Sequence, residues 1–302
     1  MQNMRTLFTL IVVTLFWRCE AGTPQPYFKV ILMSDYYTAY YKSAMLDFTN
    51  RDKLFIGKIK DPILKNYFTN AEYYDIVKES FIAAPDTVQL TKAIAAIEFN
   101  RKEIESIISS TLLKCNQYLK NDSLTFYILP ASADAKQIIS MMGGVTGSTA
   151  GKQQILLTID PEINSWKEML AYSVAHEFNH AYWTRVKFTR SYRWTLLRYL
   201  VFEGKADSFA HLLYPKARAP WTSSLSESEK TELWNRIKGE LNNEDPNLLT
   251  EVMFGSQKYP LWGGYTIGYD IVQKAMKNKS ELTPDRLAEL DADKILQQAN
   301  YK

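Results

Sequence analysis

The segment His176-Glu177-Phe178-Asn179-His180 restricts this chain more than any other. Two of its only three histidines stand four residues apart, with a glutamate after the first. Four residues is a little more than one helical turn, so in a helix both imidazoles leave the same face, about 5–6 Å apart at their bases. The flanking residues fit a helix. Ala171, Val174, Phe178 and Ala181 form one apolar stripe, and Ser173, His176, Glu177 and His180 form another face. The pattern predicts a helix with one side for the core and one for chemistry. Ser165 with Glu168 has the form of a capping box at its start, and Asp160-Pro161 offers an earlier one.

Two imidazoles so placed suit a single zinc ion, which takes neutral ring nitrogens and, at catalytic sites, three protein ligands with one position left for water. The glutamate beside the first histidine lies near that water and can take its proton, which zinc makes acidic near neutral pH. The third ligand has to come from a separate element. Glu203-Gly204-Lys205-Ala206-Asp207, on a second helical segment over 193–214, supplies it. Glu203 offers the carboxylate. Asp207, one turn on, can hydrogen-bond the second nitrogen of a ligand histidine. Gly204 lets two helices approach closely. His211, on an apolar background, reads as a packing histidine.

Elsewhere residues 22–120 read mostly as helices, with Pro62 and Pro85 as breaks. Residues 123–132 and 153–160 are rich in β-branched and aromatic residues and read as strands, joined through a glycine-rich turn or flap. That turn is not a phosphate loop: Gly151-Lys152 is followed by Gln153, and Thr146 stands where the first glycine belongs. It also lacks the Gly-x-Ser-x-Gly elbow of serine hydrolases. Further helices are predicted at Ser226-x-x-Glu229, after Gly263-Gly264, and at the chain's end. Strands are few and helices dominate, so the fold class is α+β, mainly helical, without a doubly wound parallel sheet. The organisation reads as a signal peptide at 1–21, a helical region at 22–120 and a catalytic region at 121–302.

The signal-peptide reading rests on Arg5 ahead of an apolar run over 7–17, too short to span a bilayer. Cys19 and Ala21 fit the positions before a cut at Gly22, and export to the periplasm or medium follows. A lipoprotein anchored through Cys19 is the alternative, opposed by Trp17 and Arg18 just ahead of it. Cys19 and Cys115 are the only cysteines, so a cut before Gly22 leaves no internal disulfide, and Cys115 reads as a small core residue. A formal net charge of +3 gives no argument for nucleic acid, and Arg185, Lys187, Arg190 and Arg193 read as a solvated basic connection.

The His176–His180 motif followed by Glu203–Asp207 resembles the gluzincin zinc metallopeptidases. More closely, the chain resembles a bacterial family of predicted zinc-dependent proteases catalogued as a domain of unknown function. The glycine-rich turn into Ile155–Glu162, the Phe202–Asp207 segment and Trp262–Val272 carry the closer match, over roughly residues 90–300. The resemblance implies a zincin-like domain, one zinc held by His176, His180 and Glu203, Glu177 as general base, and a peptide or protein substrate. It implies that residues 153–160 are the edge strand along which an extended peptide lies. It also implies a Tyr or His donor for the oxyanion, for which Tyr265 and Tyr269 are the candidates. Two other readings stay open. One is an exported zinc-containing binding or assembly module without turnover. The other is a hydrolase of a non-peptide amide, such as a cell-wall linkage.

Overall fold

The computed structural model describes residues 27–81 and 83–302. The predicted signal peptide and Cys19 lie outside them. Four strands form one sheet: β1 (Tyr27–Leu32), β2 (Ser123–Pro130), β3 (Val145–Thr149) and β4 (Gln154–Ile159), in the order β1-β2-β4-β3. β1 and β4 both run parallel to β2, and β3 is antiparallel to β4. Around the sheet lie helices α1 (Ser34–Leu46), α2 (Thr87–Phe99), α3 (Arg101–Cys115), α4 (Trp166–Lys187), α5 (Leu196–Leu213), α6 (Glu227–Ile237), α7 (Pro246–Phe254), α8 (Gly263–Asn278) and α9 (Ala292–Ala299), with shorter turns between them. The fold is α+β and mainly helical, as the sequence pattern predicts.

Two expectations about the sheet are corrected. The strand at 153–160 is not the edge: β4 is interior, hydrogen-bonded to β2 on one side and to β3 on the other. The glycine-rich stretch is not only a turn, because Val145–Thr149 forms the edge strand itself. Its β-branched Val145, Thr146 and Thr149 suit a pleated strand, while the glycines serve separate purposes. Gly143 and Gly144 take positive φ values of 75° and 96° and turn the chain into β3. Gly147, within the strand, faces α4 so closely that an added Cβ would stand 2.5 Å from Glu177 Oε1. β1 is also a strand that the helical reading of 22–120 passed over.

Side chains of β2 alternate between two cores, as period-2 geometry requires. Leu124, Phe126 and Ile128 pack with Ile104, Ile108 and Leu112 of α3 and with Leu170, Val174 and Phe178 of α4. Tyr127 and Leu129 face the opposite layer, built from Tyr37 and Tyr40 of α1 with Phe55 and Phe68. A sheet of largely parallel strands buried on both faces is the expected outcome of that arrangement. A third core joins α5 to the C-terminal helices through Leu200, Trp234, Val252, Ile267, Ile271 and Ile295. Cys115 is buried in the first core with no disulfide partner among the described residues, and burial pushes its thiol up. No described helix is long and apolar enough to cross a membrane.

The predicted cap at Ser226 is present: Glu229 N–H donates to Ser226 Oγ, and Ser226 N–H donates to Glu229 Oε2 at 2.7 Å. The one at Ser165 is not. The hydroxyl there donates instead to Gly143 O at 3.1 Å, tying the start of α4 to the turn before β3. Asp160 does not start the helix either, since its carboxylate accepts from Glu162 N–H in a turn ahead of α4. Every residue of α4 from Met169 to Thr184 is buried, so the face assigned to chemistry is covered as fully as the apolar one.

α5 and α8 meet backbone to backbone. A Cβ on Gly204 would stand 2.2 Å from Gly268 O, and one on Gly268 would stand 2.0 Å from Leu200 O. The close approach predicted for Gly204 therefore exists, with α8 as the neighbour. Next to it, buried Lys205 donates from Nζ to Leu290 O (2.6 Å) and Ala288 O (3.2 Å), pinning the C-terminal segment to α5. Burial pushes this ammonium down to about 7. Of the predicted basic connection, Arg185 and Lys187 belong to the last turn of α4; Lys187 pairs with Asp291 and Arg193 with Glu244 at the surface. Such exposed pairs contribute at most about 1 kcal/mol each.

Candidate metal centre

Because α4 is helical through the whole motif, His176 and His180 do leave one face, with ring centroids 4.6 Å apart. Their Nε2 atoms are 3.0 Å apart, and Glu203 Oε2 of α5 lies 3.2 Å from the first and 3.3 Å from the second. Ligand atoms held tetrahedrally at about 2.0–2.1 Å from one ion are about 3.3 Å from each other. The three atoms thus already outline one face of a zinc coordination shell. All three residues are buried.

The orientation of each ligand has a cause. His176 Nδ1 donates to Asp207 Oδ1 at 2.9 Å, which leaves the Nε2 lone pair facing the other two ligand atoms. That same carboxylate oxygen accepts from Trp221 Nε1 (2.9 Å) and from the Tyr172 hydroxyl (3.0 Å). Trp221 is fixed in turn by its carbonyl, which accepts from Thr266 Oγ1 of α8 at 2.8 Å. The His180 ring lies flat on Phe202, with centroids 3.9 Å apart and planes 21° off parallel. Its backbone carbonyl accepts from Thr184, whose hydroxyl also bonds Tyr73. Glu177 Oε2 accepts from Thr149 Oγ1 at 2.7 Å, so the edge strand holds the candidate base in place.

Charge balance favours a cation at this centre. Glu177, Glu203 and Asp207 are all buried around the two imidazoles, and among the described residues no lysine or arginine lines the adjoining cavity. Burial pushes the His176 imidazole down, but Asp207, Glu203 and Glu177 outweigh it and leave the ring well above its ordinary range. Burial pushes the Glu203 carboxyl up, and His180 and His176 outweigh that and hold it down to about 2. Buried carboxylates of this kind need a positive partner. Two convergent imidazole nitrogens and a carboxylate oxygen are a donor set that zinc accepts. The residues fit the ion.

A cavity of about 640 Å³ opens onto His176, His180 and Glu203. Tyr265 lines it together with Glu177 and the three ligands, and burial pushes its hydroxyl far up, with Glu203 adding to the shift. Tyr269, one turn further along α8, packs against His211 at 6.1 Å and is not part of the lining. His211 is not in the ligand group. The structure therefore separates the two tyrosines and keeps His211 as a packing residue.

Sequence reasoning missed Tyr172, Trp221, Thr149 and Phe202. Tyr172 carried a signal, standing four residues before His176 and hence on the same face of α4. Trp221 carried none, since it comes from a turn beyond α5 that only the tertiary fold brings to Asp207. Asp207→Ala is expected to weaken zinc binding 10- to 100-fold, as removal of an orienting carboxylate does. Competition titration against a chromogenic chelator measures this, and unchanged affinity would detach Asp207 from the centre.

A family model described as Predicted Zn-dependent protease (DUF2268) matches residues 104–297. No curated protein and no solved structure matches the chain.

Proposed function

Since the chain belongs to the predicted zinc-dependent protease family, we propose that it is a metallopeptidase using one zinc at His176, His180 and Glu203. One observation carries the proposal: an intact, buried glutamate, held by Thr149, beside three convergent ligand atoms and an open cavity. A purely structural zinc site closes with a fourth protein ligand and needs no base. None of the described residues forms a fourth with this group.

Zinc, when bound, supplies a Lewis acid and an acidic water at neutral pH. The chain's own residues do the rest. Glu177 takes the proton of the attacking water and passes it to the leaving amine. Tyr265 is the donor for the carbonyl oxygen as it gains charge. Tyr269, outside the cavity lining, is not assigned that part. β3 takes the role once expected of 153–160: its outer edge is unpaired within the sheet, and Thr146–Thr149 line the cavity, so an extended peptide can add to it by main-chain hydrogen bonds. A peptide is favoured over a non-peptide amide because a strand edge recognises a peptide backbone. The leader-like first 21 residues support an exported setting for this activity.

The test is metal content by elemental analysis, wild type beside His176→Ala, with hydrolysis of a mixed peptide pool followed in parallel. About one zinc per chain is expected in the wild type and none in the variant. Chelation should abolish hydrolysis, and added zinc should restore it. A folded wild type that takes up no zinc would end the proposal.

A further inference from the structure

We propose that the aromatic end of the cavity is a specificity pocket for a large apolar side chain, such as Phe or Leu, in an internal segment of the substrate beside the bond cleaved. The inference rests on the protease reading and adds the substrate class to it.

Three elements build this pocket. Trp194 precedes α5, which contributes Tyr199 and Phe202; α7 contributes Leu249 and Phe254, and α8 contributes Tyr265. Trp194 packs on Phe202 at 5.0 Å and on Tyr199 at 5.9 Å, and Phe254 packs on Tyr265 at 5.7 Å. Phe202 is also the ring on which His180 lies, so the pocket wall continues directly into a zinc ligand. A side chain seated there is therefore close to the reacting bond.

The surface is shaped for an apolar occupant. Phe254 lines the concavity at 45% exposure, so an apolar group seated beside it would take its ring out of water. The cavity to which this end belongs, about 640 Å³ as a whole, falls in the range of ligand pockets, about 300–1,000 Å³. Charge excludes the alternatives. Among the described residues no lysine or arginine lines the cavity, and Glu244, its acidic residue away from the metal centre, is already paired with Arg193 at 2.8 Å. An acidic side chain or a free C-terminal carboxylate would be desolvated there without a counter-charge. Internal segments with bulky apolar residues are what remains.

The experiment uses the zinc-loaded full chain with two end-blocked peptides that differ by Phe against Asp at one position. A kcat/KM ratio of tenfold or more in favour of Phe is expected. Phe254→Ala should reduce that ratio at unchanged zinc content, and Thr250→Arg, which puts a cation in the lining, should raise cleavage of the Asp peptide. Calorimetry on zinc-loaded Glu177→Gln measures binding of the same peptides without turnover. Cleavage or binding that favours Phe and responds to both substitutions supports the pocket. Cleavage without that preference overturns the pocket and leaves the protease reading standing. Preferential binding without cleavage by the wild type keeps the pocket and removes the reaction. Neither binding nor cleavage overturns both.

Discussion

Glu177→Gln is expected to retain about one zinc per chain and to lose hydrolysis by a factor of 10² to 10⁴. The substitution is nearly isosteric and leaves an amide oxygen to accept from Thr149 Oγ1, now 2.7 Å from the carboxylate. It touches none of His176 Nε2, His180 Nε2 and Glu203 Oε2, the atoms that would hold the ion. What it removes is the one function a carboxylate has here and an amide lacks, the capacity to accept a proton at neutral pH. A loss of that size corresponds to about 3–5 kcal/mol on the barrier. Steady-state kinetics with a peptide the wild type cleaves, paired with elemental analysis, makes the check. A variant that cleaves as fast as the parent would refute the role given to Glu177. One that loses zinc as well would show that the residue is structural.

Gly204→Ala should give the largest loss of stability among conservative changes near the centre. In an isolated helix alanine is favoured over glycine by about 0.8–1.0 kcal/mol. Here the new methyl would meet the Gly268 carbonyl oxygen at 2.2 Å and its carbon at 2.4 Å, and these are backbone atoms that no rotamer change can move aside. Overpacking costs typically about 1–3 kcal/mol and more where backbone has to shift, so the clash outweighs the propensity gain. A net loss of about 2 kcal/mol is expected, with a lower Tm. Because Glu203 precedes Gly204 on the same turn of α5, zinc should also be held less firmly. Gly57→Ala, in the helical turn Ile56–Lys60, is the control: its added methyl meets nothing within 4 Å, so the propensity gain stands alone and Tm should hold or rise. Equal Tm values for Gly204→Ala and the parent would mean that α5 and α8 are not in backbone contact.

The parts of the site that were legible in the sequence are those set by helical spacing. His176, Glu177 and His180 follow from one turn of helix, and Glu203 and Asp207 follow from the next turn pattern downstream. Asp207 was readable because a carboxylate four residues beyond a ligand has an obvious use, and it does bond His176. Edge and interior strands were not readable. Ile155–Ile159 is apolar enough for either place, and only its pairing with both β2 and β3 shows that it is interior. The glycines of 143–151 masked β3, because a residue that weakens strands on its own was needed where Glu177 presses against the sheet. Ser165 kept its capping sequence, but its hydroxyl donates to Gly143 O and accepts no backbone N–H of the helix. The Trp221 and Phe202 contacts depend on how α5 packs, which no local pattern encodes.

The order β1-β2-β4-β3 has a kinetic consequence. The antiparallel pair β3–β4 is a hairpin of near neighbours, whereas β1 pairs with β2 by setting Tyr27 beside Ser123. Closing so long a loop costs chain entropy before any contact repays it, and distant parallel pairings form slowly for that reason. The hairpin carries Thr149 and Gly147, which meet Glu177 on the helix that follows. Glu177, the proposed base, is therefore positioned by the most local part of the sheet, and β1 is the strand whose docking has to wait for the chain to reach β2.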